Sequence, residues 1–156
     1  NIASALGAFA FGYAQDRLGH RRALAFTLAG WIAMVLVAGL GRSVASFWVA
    51  ATIAGLCMGS SQSCGRAMVG ALAPAGRLAE FFGLWTLAVR VAAIAGPLSY
   101  GLVTWSTAGN HRAAILATGL FFVVGLLLLA RIDMARGARA AQALELAPAG
   151  RTPLSA

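Results

Sequence analysis

Three polar side chains stand inside long apolar runs of this chain: Gln62, Arg66 and Arg90. A guanidinium or an amide at such a place is costly to bury, so it reads first as a binding group. Gln62 and Arg66 are four residues apart, about one helical turn, and would project from one face. Arg90 lies within about 4 Å of the midpoint of its run, at ~1.5 Å per residue. From there its guanidinium cannot easily reach either surface, and no acid lies deep in any run to neutralise it. Its partner would be a substrate anion, a carboxylate elsewhere or backbone carbonyls, and an arginine at such depth suits a carboxylate. Arg66 is nearer the end of its run, where the side chain can also snorkel to the interface.

Other chemistry finds little support. Cys57 and Cys64 are seven residues apart on what reads as one helix, roughly 10 Å, too far for a disulfide. No Cys/His spacing suits a metal, and no nucleophile–base pair occurs at depth. A proton relay needs a titratable Asp, Glu or His within the runs, and none is there. The chain therefore reads as a non-enzyme, with no metal and no cofactor. Glu80 reads as a helix cap and His111 as a solvated loop residue.

The elements that must position these groups follow from composition. Of 156 residues, 60% are hydrophobic and 10% charged, against about 25% charged in ordinary soluble domains. The charges cluster between apolar runs, the pattern of an all-α polytopic membrane bundle. Lys+Arg number 12 against 4 Asp+Glu, for a net +8, and every one of the basic residues is arginine. These arginines end the apolar runs, so the partner they imply is the lipid bilayer and not nucleic acid. Five segments can be marked, at about 1–14, 23–40, 46–72, 80–105 and 112–131. Short connections make neighbours antiparallel. They form a partial transmembrane bundle over 1–132, followed by a tail at 133–156 whose small residues, prolines and lack of apolar period predict disorder. The first run is shorter than the ~20 residues of a spanning helix and has neither Met nor a basic flank, so it is expected to be a helix cut through and the chain a fragment.

One end of the bundle receives Arg17, Arg21, Arg22, Arg77, Arg131, Arg136, Arg139 and Arg151, while the other receives only Arg42 and Arg112. The positive-inside rule then places the C-terminus in the cytoplasm. Trp48 and Trp105 fall at the opposite helix ends, as interfacial tryptophans do. The lack of lysine beside much Ala, Gly and Arg fits a GC-rich bacterial genome, hence a bacterial inner membrane.

The connection after the first run reads "GYAQDRLGHRR". Gly12 would permit close helix packing and Gly19 a tight reversal. Asp16 would accept hydrogen bonds at a helix N-terminus, and Arg17 and Arg21 would hold the loop at the headgroups or bridge to acids. The pattern Gly12, Asp16, Arg17, Gly19, Arg21 resembles the signature loop of the major facilitator superfamily, with His20 where that family more often has a basic residue. A second stretch, "SQSCGRAMVGALAPAGRLAEFFGLW" followed by "GPLSYGL" and "HRAAIL", is similar to the C-terminal part of its vacuole-effluxer branch. Gln62, Arg66, Pro74, Glu80, Phe81, Phe82, Gly83, Gly96, Pro97, Leu98, Gly109 and Arg112 match that pattern. Gly65 stands where a Ser is common, and Arg90 where a Lys is common.

The resemblance covers 7 to about 132. It implies that the five segments are the last five of twelve helices and that an N-terminal bundle of the same protein is the partner. It also implies alternating access, with Gly12, Asp16, Arg17, Gly19 and Arg21 as a conformational latch. The function implied is secondary transport of small solutes, such as amino acids or similar metabolites, by efflux. A non-transporting membrane module or truncated product is the alternative. On the third segment Gly55, Gly59, Gln62, Ser63, Arg66 and Gly70 fall within roughly a 100° arc, as do Gly83, Thr86, Arg90, Pro97 and Gly101 on the fourth. Each helix is thus expected to show one polar, small-residue face toward an interior, with substrate bound by Gln62, Arg66 and Arg90. Gly96 and Pro97 would kink the fourth helix where it lines a cavity.

Overall fold

The computed structural model describes residues 2–146, with side chains to 144. The chain forms six α-helices: α1 (Ile2–Leu18), α2 (His20–Leu40), α3 (Val44–Leu72), α4 (Leu78–Ser106), α5 (His111–Ala130) and α6 (Met134–Leu146). A 3₁₀ turn at Ala75–Arg77 precedes α4. No strand occurs among the described residues.

The breaks between helices are short and chemically specified. Gly19 alone separates α1 from α2, at φ 82° and ψ 155°, a conformation that glycine adopts without a steric penalty. Ser43 and Ser46 form a reciprocal capping box at the start of α3, the Ser43 hydroxyl accepting from the Ser46 amide at 3.1 Å. Ala73 is extended and precedes Pro74, which disfavours a helical residue before it. Arg77 and Glu80 then form an exposed ion pair across the first turn of α4, with a Nη2–Oε2 distance of 2.6 Å. After α4 the chain turns through Ala108 and Gly109 at φ 51° and 87°, and the Asn110 carboxamide caps α5 by accepting from the Ala113 amide.

Helix α3 is the hub: α1 and α2 pack along it, and α5 packs against α2. Small residues set the approach. A methyl group at Gly7 would overlap the Leu56 backbone, and one at Gly59 would overlap the Ser4 carbonyl. At Gly30 it would come 2.6 Å from the Cys57 sulfur, and at Gly119 2.9 Å from Val35. These contacts leave little room for large core side chains, and the fully buried ones include Thr27, Ser60 and Cys64. Thr27 Oγ1 lies 3.1 Å from both Ala23 O and Ser60 Oγ, which share its one proton, and Trp31 Nε1 donates to Ser61 Oγ at 2.9 Å. Trp31 also stacks on Phe122 at 5.1 Å, so one side chain ties α2 to both neighbours. Helix α4 is peripheral and has no buried residue. It leans on α5, and its Trp85 ring lies over Gly65 of α3.

Large apolar side chains such as Phe9, Phe26, Leu98 and Trp105 point outward, the reverse of a water-soluble surface. Four stretches are long and apolar enough to cross a membrane: His20–Leu40, Val44–Leu72, Ala75–Ser106 and His111–Ala130. The expectation of five spans is thus reached only in part among the described residues. Helix α1 has 17 of them, about 25 Å at ~1.5 Å per residue.

Two expectations need correction. The segment expected to be disordered from 133 forms α6 as far as Leu146, and the rest of that stretch lies outside the described residues. Ala, Arg, Leu and Gln are good helix formers, the Asp133 carboxylate caps the helix through the Arg136 amide at 3.0 Å, and Gly137 packs on Leu72. The helices also run into the charged connections. Asp16 and Arg17 lie in the last turn of α1, so Asp16 stands at a helix C-terminus and not at an N-terminus.

Candidate functional site: a polar groove between α1 and α3

Beside the close contact of α1 with α3 at Gly7 and Gly59 lies an open groove of about 550 Å³. Its walls are Ser4, Ala5 and Ala8 of α1 and Met58, Gly59, Gln62, Ser63 and Arg66 of α3. Gln62 and Arg66 are exposed, and neither side chain is engaged by another described residue. The groove offers a guanidinium, an amide and hydroxyls on small-residue walls, and no carboxylate lines it. A planar fork of N–H donors beside an amide that both donates and accepts suits a carboxylate with a polar neighbour.

The structure brings Gln62 and Arg66 together as the spacing suggested. Arg90 does not line this groove. It is exposed on α4, and added methyl groups at Gly83 and Gly101 of the same stripe would meet open space. The half-buried residues of α4, among them Phe81, Trp85, Ser99 and Val103, lie on the other side of the helix, so the Arg90 stripe turns away from α3 and α5. Within the described residues it lines no interior, contrary to expectation. Gly96 and Pro97 do border a cavity, an apolar one of about 480 Å³ shared with Tyr100, Thr118, Phe121 and Phe122. Helix α4 remains continuous through Pro97, and Ser99 Oγ donates back to Ala95 O at 2.6 Å.

The signature loop is placed in detail. Gly19 makes the reversal, as its residue type suggested. A methyl group at Gly12 would touch nothing within 4 Å, so no helix packs closely there. The Arg17 guanidinium lies 4.9 Å from the Tyr13 ring centre. Arg21 crosses to the C-terminal end of α5, where Nη2 donates to Ala130 O at 2.7 Å. It therefore meets a helix C-terminal carbonyl, where a cation is favoured, and not an acid.

Sequence reasoning missed the second polar face of α3. Ser60, Ser61 and Cys64 point away from the groove, toward α2 and the end of α1, where Gln15 Nε2 donates to Cys64 O at 3.4 Å. A readable signal existed: Thr27 and Trp31 are one turn apart on α2, matching the Ser60–Ser61 pair in an otherwise apolar setting. The expectation of a single polar face on α3 is corrected accordingly.

Apolar spans, a small-residue helix interface and a polar groove beside it define a polytopic integral membrane protein. The family described as "Vacuole effluxer Atg22 like" matches residues 1–142. The chain belongs to that family, a branch related to the major facilitator superfamily. It is 34% identical over 90 residues to "Autophagy-related protein 22" of Kluyveromyces lactis, a match covering 58% of this chain and 18% of the relative. It is 35% identical over 98 residues to "Autophagy-related protein 22-1" of Neosartorya fischeri, covering 62% and 16%. With the "Uncharacterized MFS-type transporter YxiO" of Bacillus subtilis it shares 25% identity over 120 residues, covering 77% and 28%. The matched region thus spans less than a third of each of these relatives. No solved structure matches the chain.

Proposed function

We propose that this chain supplies part of a secondary transporter that moves small carboxylate-bearing solutes, such as amino acids, by alternating access. The observation that carries this reading is the groove in which Gln62 and Arg66 stand side by side on small-residue walls. Family membership supports transport as the general activity. A substrate carboxylate would pair with Arg66, and Gln62 would read a neighbouring polar group. Arg90, on the outward stripe of α4, would face a further helical bundle across the transport path. Gly19 and Arg21 would hold the α1–α2 turn at the cytoplasmic side, with the C-terminal segment on that side of a bacterial inner membrane, as the arginine distribution favours.

The test is uptake of labelled amino acids into vesicles carrying the protein purified from its native membrane. Arg66→Ala and Gln62→Ala are each expected to lower transport at least tenfold, while Arg66→Lys retains part of it. Unchanged transport in both alanine variants would remove the groove from the mechanism.

A further inference from the structure

Arg42 and Arg112 are the two arginines at the end of the bundle that has few. The fold gathers both at one cleft between α2, α3 and α5, with a volume of about 550 Å³. Arg112 is fixed there, its Nη2 donating to Gly41 O at 3.0 Å. Arg42 is exposed and has no hydrogen bond or ion pair among the described residues. Among the described side chains the acids are Asp16, Glu80 and Asp133, at the last turn of α1, the first turn of α4 and the start of α6, and neither arginine forms an ion pair with any of them. The start of α3 adds the positive end of its dipole at the same place.

Below this cationic rim the cleft is apolar. Met34 and Ala38 of α2 face Phe47, Ala51 and Ala54 of α3 across it. From Val44 to Ala54 the lining runs eleven residues along α3, about 16 Å at ~1.5 Å per residue. One leaflet of a bilayer's hydrocarbon is about 15 Å, half of the ~30 Å core. The cleft thus has one leaflet's depth, with uncompensated positive charge where that leaflet's headgroups lie.

We propose that this cleft binds an anionic phospholipid, its phosphate between Arg42 and Arg112 and one acyl chain along Phe47, Ala51 and Ala54. The site is separate from the α1–α3 groove and does not depend on what that groove transports. A free anion would use the rim but not the apolar wall, and a zwitterionic lipid would use the wall but bring its own cation to the rim.

Native mass spectrometry of the detergent-purified protein, incubated with phosphatidylglycerol, phosphatidylcholine or inorganic phosphate, tests the assignment. Wild type is expected to retain phosphatidylglycerol at least tenfold better than phosphatidylcholine. Arg42→Ala, which removes no hydrogen bond within the fold, should abolish that preference. Ala51→Leu, with both arginines intact, should reduce retention by filling the apolar wall. Retention of phosphatidylglycerol at wild-type level by both variants overturns the proposal, as does equal retention of the two lipids. Displacement of phosphatidylglycerol by inorganic phosphate at equal concentration also overturns it, because the acyl chain would then contribute nothing.

Discussion

Thr27 and Ser60 are small polar side chains at the centre of an apolar bundle, and both are fully buried. Each satisfies its hydroxyl: the single Thr27 proton is shared between Ala23 O and Ser60 Oγ, and Ser60 donates to Cys57 O. Because lipid tails are as apolar as leucine, hydrophobic burial does little to hold helices together in a membrane, and packing with hydrogen bonds does more. A double-mutant cycle of Thr27→Val and Ser60→Ala, followed by unfolding in detergent, should give a coupling of about 0.6 kcal/mol and no more than about 1.7. A coupling of zero would mean that the close approach at Gly30 and Cys57 and the Trp31–Ser61 bond hold α2 to α3 without the Thr27–Ser60 contact. Arg66 and Arg90 have the same chemistry but different surroundings. A sequence reading groups them by depth, whereas the fold separates them by which way each helix face turns. Neither fact is visible in spacing alone, because the rotation of α4 depends on its packing against α5 and α3.

At the level of elements, the spans were legible because long apolar runs have few alternatives. Pro74 and Gly19 also marked their breaks in advance, whereas the Ser43–Ser46 capping box emerged only from the structure. Helix α6 was not legible. Its inward side is made of Met134, Gly137, Ala138 and Ala141, mostly residues too small to register as an apolar stripe, and Gly137 lies against the end of the Leu72 side chain. The helix starts at Asp133, whose carboxylate is held below the usual aspartate range, chiefly by the hydrogen bond from the Arg136 amide and further by the Ala135 amide and the charges of Arg139 and Arg136. A folded-state pKa below the unfolded one means the cap contributes fully above about pH 4. That contribution is lost as the pH falls through the lowered folded-state value. Amide hydrogen exchange of the first turn of α6 should therefore accelerate on acidification below about pH 4 beyond the intrinsic pH trend. Asp133→Ala should show fast exchange at every pH, and pH-independent protection in the native protein would contradict the assignment.

For the whole molecule, the telling property is that α4 carries no buried residue although it is among the longest helices. Its Arg90 stripe and its leucine-bearing flank point in different directions, and only the second suits lipid. Cysteines introduced at Thr86 and Gly101 in the native protein are expected to react with a water-soluble maleimide, whereas those at Val91 and Leu98 are not. Equal labelling of both sets would mean that the stripe faces lipid and that no bundle stands opposite it. One contact also bears on how such a molecule is made. Arg21 and the Ala130 carbonyl are separated by 109 positions in the chain, so the α1–α2 turn must enter the bilayer long before its acceptor is synthesised. Until Ala130 is made, Arg21 lacks that acceptor. The clasp closes only once α5 has left the ribosome, and it ties the α1–α2 turn to a span made three helices later.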